Sequence, residues 1–323
     1  MRKTIATISI AAVAALGGHG AGAQTVAFAS LPQGTINFFQ SSALAKVIQE
    51  KSNLRMRVNP LRSGEMAIAA LNAGEAEFHL GAAPEAAKGV TGASYFDGKT
   101  HPNIRVAFNL RPLLLGMFVR KDSGIDSYAD LKGKRMPTGW NAFPSSMVYL
   151  HALLKTAGLT VNDIKPVPVP DLVRSVADFK EGKNDGTIVA VEAPMVREAD
   201  SAVGGLKFLS IPEGPQALAT IQSFDPNFVI ATVQPGPRAV GVSKPTRVLA
   251  FDIVITTSLK VPEDIVETVV KTVHDSKADL VKAHASFAAF DPKTMAKQFP
   301  APLQYHPGAV KYYKVNGLWP TGK

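Results

Sequence analysis

Apolar and polar positions switch between two periods along this chain, and the switches follow one order twice. Residues 26–30 form a short apolar run ended by the turn Leu31-Pro32-Gln33-Gly34, the pattern of a buried strand. From 41 to 51 the apolar positions Leu44, Val47 and Ile48 share one helical face, and 54–58 (Leu-Arg-Met-Arg-Val) alternates as a strand with one wet side. Residues 65–73 predict a second helix closed by Gly74, and 78–80 a third strand. The order returns with a strand at 134–138, a loop at 139–144, a helix at 145–157 closed by Gly158, a strand at 165–169, a helix at 171–180 and a strand at 187–191. Residues 71–78 and 179–186 echo each other: a helix ends at glycine (Gly74, Gly182), and an acidic residue (Glu77, Asp185) leads into a strand. Two copies of one β-loop-α-β-loop-α-β unit predict an α/β fold with largely parallel sheets in two similar lobes.

Between the copies, 104–119 is long and apolar and reads as two strands across an Arg111-Pro112 break. Ser127 and Asp130 have capping-box spacing for a one-turn helix stopped by Gly133. After the second copy, 248–256 is a strand. A long helix over 263–283 follows Pro262, with Asp264 in its first turn and Ile265, Val266, Val269, Val270 and Val273 on its buried stripe. Crossings near 118–121 and 250–253 make a hinge. Lobe one is then discontinuous (24–118 plus 251–323), and lobe two is 119–250.

The first residues set the compartment. Met1-Arg2-Lys3, an apolar run to Leu16 and the small-x-small Ala21-Gly22-Ala23 predict a secretory signal peptide over 1–23, too short to span a bilayer. A soluble periplasmic protein of 300 residues follows, more than one core usually serves. With no cysteine, it has no disulfide, thiol nucleophile or thiolate ligand. Net charge is +9 for the full chain and +7 without Arg2 and Lys3. The basic residues are dispersed, so nucleic acid is not an expected partner, while a diffuse positive surface suits small anions.

Catalytic constellations are missing from the sequence. None of the seven histidines has metal-ligand spacing, and Gly-x-Ser-x-Gly and Gly-x-Gly-x-x-Gly do not occur. Residues 317–323 mimic the start of a phosphate loop but end before its Ser/Thr and helix. His151, between apolar neighbours on a helix, and His306, before Pro307, are expected to be structural or capping residues. Glu65, Glu77 and Glu192 are well-separated carboxylates. No enzyme, cofactor or metal is expected.

Loop chemistry remains. Ligands of open α/β sheets sit where strands lead into helices, whose N-terminal N–H groups attract anions. Four loops qualify: 33–38, 62–65, 139–146 and 192–194. Gly34 and Gly64 permit close backbone approach, Ser145 and Ser146 place hydroxyls at a helix start, and Phe38, Phe39, Trp140 and Phe143 are candidate aromatic walls. Arg62 and Arg111 are candidate carboxylate clamps.

Gln33-Gly34-Thr-Ile-Asn37-Phe38 through Ala43-Leu44-Ala45-Lys46 resembles the opening of the TAXI-type solute receptors of TRAP transporters. Val119-Arg120-Lys121 through Ile125, with Asp130-Leu-Lys-Gly133-Lys-Arg135, resembles that family's central signature. His306-Pro307-Gly308-Ala309, Tyr312-Tyr313 and Gly317 resemble its C-terminal one. The resemblance implies a type II periplasmic-binding-protein fold that closes on a small organic acid and delivers it to TRAP permease subunits in the membrane, acting as a monomer. Matching loops then carry the site onto Gly34, Asn37 and Phe38, onto Ser63, Gly64 and Glu65, and in lobe two onto Trp140, Asn141, Ser145, Ser146, Glu192 and Ala193. Departures are Arg62-Ser63-Gly64-Glu65 where the family has two glycines and a serine, Asn37 near its common aromatic pair, and a bulky 140–146 loop where it has glycines. The bulky loop favours a larger or aromatic ligand. A receptor for an ABC importer or sensor kinase, and a periplasmic hydrolase or lyase on the same fold, are the alternatives.

Overall fold

The computed structural model describes residues 24–320 except Gly34. The expected signal peptide therefore lies outside the described residues. The first unit is β1 (Thr25–Ser30), α1 (Ile36–Lys51), β2 (Arg55–Pro60), α2 (Gly64–Ala73) and β3 (Phe78–Ala82), continued by α3 (Ala83–Thr91). A 17-residue strand, β4 (Ile104–Arg120), leads to the second unit. That unit is β5 (Arg135–Gly139), α4 (Ser145–Lys155), β6 (Lys165–Val169), α5 (Leu172–Lys180) and β7 (Gly186–Ala190), continued by α6 (Pro194–Val203). Then come β8 (Leu206–Phe208), α7 (Pro215–Gln222), β9 (Val229–Val233), the long return strand β10 (Thr246–Ser258), α8 (Glu263–Asp275), α9 (Lys277–Ala283) and α10 (Pro307–Val315).

The repeat seen in the sequence has a structural counterpart. Gly74 takes the left-handed conformation that closes α2 (φ 88°), and Gly182 does the same after α5 (φ 73°). The acidic residue before each third strand then braces the first strand of its unit. Glu77 Oε2 accepts from Ala27 N–H at 2.6 Å, and Asp185 Oδ2 accepts from Arg135 N–H at 2.7 Å. The capping box at Ser127 and Asp130 opens a one-turn helix, and His306 caps α10, its Nδ1 accepting from Gly308 N–H.

The sheet differs from the expectation. Eight strands form one mixed sheet in the order β2-β1-β3-β10-β4-β7, with β8 on β4 and β9 on β10; β5 and β6 form a separate parallel pair. Only β1–β2 and β1–β3 are parallel in the large sheet. Every pairing of β4 and β10 is antiparallel, because the chain leaves the first unit along β4 and returns along β10. β7 joins β4 rather than β5. The Arg111-Pro112 break is also corrected: β4 runs through it unbroken, with Pro112 opposite Asp252. β7 pairs with β4 only from Leu115, so at Pro112 the strand has one neighbour, and a missing N–H is tolerated there. The single helix expected at 263–283 is two, divided at Ser276 (φ −116°, ψ 26°).

Candidate ligand-binding cleft

Helix starts converge on one cavity of 410 Å³. From the first unit come the N-terminal turns of α1 and α3; from the second, those of α4, α5 and α6. The middle of β4 and β10 supplies Leu113, Leu115, Phe251 and Ile253. Most of the wall is apolar, including Ile36, Phe143, Leu172 and Met195. Tyr149 stacks on Phe251 (centroids 5.1 Å apart, planes 17°) and joins the second unit to the return strand.

Local caps decide which residues reach the wall. α1 begins at Ile36, earlier than its apolar stripe suggested, because Thr35 caps it and accepts from Phe38 N–H at 3.2 Å. Asn37 is therefore a helical residue on the cavity wall, next to Gln33, which also lines it. Ser63 is spent as the α2 cap, its Oγ accepting from Met66 N–H at 3.4 Å, while exposed Arg62 borders the cavity. Ser145 and Ser146 open α4, both buried and both on the wall; the Ser146 hydroxyl has no partner among the described residues. Phe143 and Ala193 line the cavity as well.

Among the described residues, the structure does not bring the remaining candidates to this wall. Gly139 (φ 89°) and Trp140 (φ 41°) are consecutive left-handed residues, and the turn carries the indole into the hydrophobic core, fully buried. Trp140 is thus a core side chain, not an aromatic wall. Asn141 beside it is exposed. Phe38 packs edge-on against Phe39 at 5.9 Å, Glu65 is half-buried on α2, and Gly34 lies outside the described residues. Arg111 and Glu192 meet instead at an adjacent cavity of 40 Å³, bounded also by Ser286. Burial lowers the pKa of the Arg111 guanidinium, against the pull of Glu192, and its Nε has no partner among the described residues.

Glu85, in the first turn of α3, was not anticipated. It lines the large cavity at 7% exposure, and burial pushes its carboxyl up to about 8, helped by Glu65 and opposed by Lys88. Gly64 lies against it, and a Cβ there would overlap the carboxyl group. A signal existed: Ala83-Pro84 before Glu85 repeats Ala193-Pro194 in the second unit, so 82–85 is the counterpart of a loop already singled out.

A family model describing the NMT1-like family matches residues 28–317. The chain belongs to the NMT1-like family. Solved structures add the fold. The periplasmic aliphatic sulphonate binding protein SsuA from Escherichia coli is 16% identical (TM-score 0.51, covering 93% of this chain and 89% of its own). A TctC solute binding protein from Polaromonas is 13% identical (TM-score 0.53; 91% and 98%). A structure from work on glutathione import via GshT and the cystine ABC importer TcyBC of Streptococcus mutans is 15% identical (TM-score 0.53; 84% and 100%). At these identities the likeness concerns the fold, and this NMT1-like protein has the two-lobed periplasmic-binding-protein fold expected from its sequence.

Proposed function

We propose that this NMT1-like protein is a periplasmic receptor, not an enzyme, which captures a carboxylate-bearing organic solute with an apolar body and delivers it to a TRAP-type permease. One observation carries the reading: five helix N-termini from two α/β units face a single, mostly apolar cavity. Such termini favour an anionic head group, and the apolar wall favours a body larger than that of a small dicarboxylate. Among the described residues no helix is long and apolar enough to cross a membrane, which agrees with a soluble receptor. The three solved relatives are named for solute binding or import, and the TAXI resemblance of 33–46, 119–135 and 306–317 supports the TRAP partner. The fold-level likeness to the Streptococcus mutans structure keeps an ABC importer as a second reading of the partner.

Closure would occur about residues 111–114 of β4 and 250–253 of β10, so that the first crossing lies earlier in the chain than the 118–121 expected from the sequence and residues 115–118 move with lobe two. At the crossing β4 pairs with β10 alone, and the β10 register shifts between Ile253 and Val254. The solute must bind the closed form better than the open one. The test is a thermal-shift screen of residues 24–323 against aliphatic and aromatic acids, amino acids and 2-oxo acids. A binder at hundredfold excess over its Kd adds about 2.7 kcal/mol of stability. A dose-dependent hit recovered unchanged supports a receptor, and a hit that is consumed makes the protein an enzyme.

A further inference from the structure

Glu85 is the one acid of the cavity wall whose carboxyl has no task within the chain. Asp171, also on the wall, accepts from Arg174 N–H at 2.7 Å as the α5 cap. Glu85, by contrast, enters no hydrogen bond or ion pair among the described residues. The cation one turn away, Lys88, is committed to Asp225 beyond α7 and sits 5.9 Å over the Phe228 ring. The groups around Glu85 come from every neighbouring element: Glu65 of α2, Lys88 of α3, Tyr95 after α3, Tyr149 of α4 and Asp225. Lys88 pulls the Glu85 carboxyl toward the anion, but less strongly than Glu65 opposes it, and the phenols of Tyr95 and Tyr149 are themselves held neutral by burial. The start of α3 favours the anion, but burial and Glu65 outweigh it. Gly64 has no side chain to fill the space the carboxyl occupies. Other donors on the polar wall are the Arg62 guanidinium, the Gln33 amide and the Ser146 hydroxyl, while the Asn37 Nδ2 already donates to Leu80 O at 3.4 Å.

We propose that Glu85 is a neutral hydrogen-bond donor set into the cavity wall, and that it selects solutes presenting an oxygen acceptor over those presenting an ammonium group. A buried carboxylic acid keeps one O–H donor, and an acceptor must come from outside the chain. This rests on the reading of the cavity as the solute site and adds what that site selects. It follows that binding of an acceptor is coupled to the proton on Glu85. Where the acid ionises, two negative groups face each other across an apolar wall.

The experiment is calorimetric titration of residues 24–323 with a matched pair of probes, phenylacetate and phenethylamine, at about pH 6.5 and about pH 9.5. Wild type and Glu85→Gln are compared, because glutamine keeps a donor that never ionises. The expected result is phenylacetate binding that weakens by up to about 30-fold at the higher pH in wild type, the fall in the neutral fraction of an acid titrating near 8. In Glu85→Gln the affinity stays within about threefold across the range. Phenylacetate binding that ignores pH in wild type overturns the proposal, as does phenethylamine binding that disappears in Glu85→Gln. If neither probe binds, the organic-acid reading fails for these compounds, and a ¹³C carboxyl titration decides Glu85 separately. A resonance that shifts only above pH 7 and is missing in Glu85→Gln upholds the neutral donor; a midpoint below pH 6 overturns it.

Discussion

Replacing Glu85 by glutamine should change the slope of stability against pH, whether or not any solute is known. The folded protein holds the Glu85 proton until about pH 8, whereas the ordinary value is 4.5. Below pH 4.5 both states are protonated and the group contributes nothing to the slope. Between 4.5 and 8 the native state holds a proton that the unfolded chain has lost, so raising the pH favours unfolding. Above 8 both are ionised and the difference is constant. Each pKa unit is worth about 1.4 kcal/mol, so wild type should lose roughly 3 kcal/mol relative to the variant by pH 7 and about 4–5 kcal/mol by pH 8. Other groups titrate over part of this range: buried His79, held down to about 4 by desolvation, costs stability as pH falls below 6.5. It is present in both proteins and cancels in the difference. Urea unfolding of wild type and Glu85→Gln at unit steps from pH 5 to 9 measures that difference directly. Parallel curves would show that Glu85 is ionised in the folded protein and would refute both the electrostatic argument and the donor role built on it.

Ser146→Ala removes a buried hydroxyl that has no partner among the described residues, so stability should stay within about 0.5 kcal/mol in thermal unfolding. Solute affinity should nevertheless fall, by about 0.5–1.5 kcal/mol for one neutral hydrogen bond, in calorimetry. Trp140→Ala should cost about 3–5 kcal/mol in denaturant unfolding, because the indole is fully buried in the core. Loss of affinity without loss of stability would instead return Trp140 to the cleft. Glu77→Ala leaves the Ala27 N–H without its acceptor and should cost about 1–3 kcal/mol by urea unfolding. Asp185→Ala should behave alike at Arg135, and a cost at only one of the two positions would show that the braces are not equivalent.

Much of the architecture was legible because it depends on short-range chemistry. The glycine–acid–strand echo identified two units, and its acids proved to brace equivalent strands. Helix stops at Gly74 and Gly182 and the cap at His306 followed from backbone preferences that act within a few residues. Loops at strand-to-helix junctions do border the large cavity, and Asn37, Arg62, Ser145, Ser146 and Ala193 lie on its wall.

Direction and neighbourhood were beyond the reach of the sequence. Trp140 stands in a polar loop and was expected to form an aromatic wall, yet two consecutive left-handed residues send its ring into the core. Pro112 looked like a strand break, and only the position of β7 along β4 shows why the strand tolerates it. Glu85 sits in an alanine-rich helix, where a lone acid reads as a solvated surface residue. What makes it unusual is a glycine twenty-one positions earlier that packs against its carboxyl, and a lysine one turn away claimed by Asp225. The sequence by itself determined the two units, their order and the loops that meet, because periodicity and caps are local. Only the tertiary structure decided which side chains face the cavity and which charges survive there, because burial and pairing depend on residues far apart in the chain.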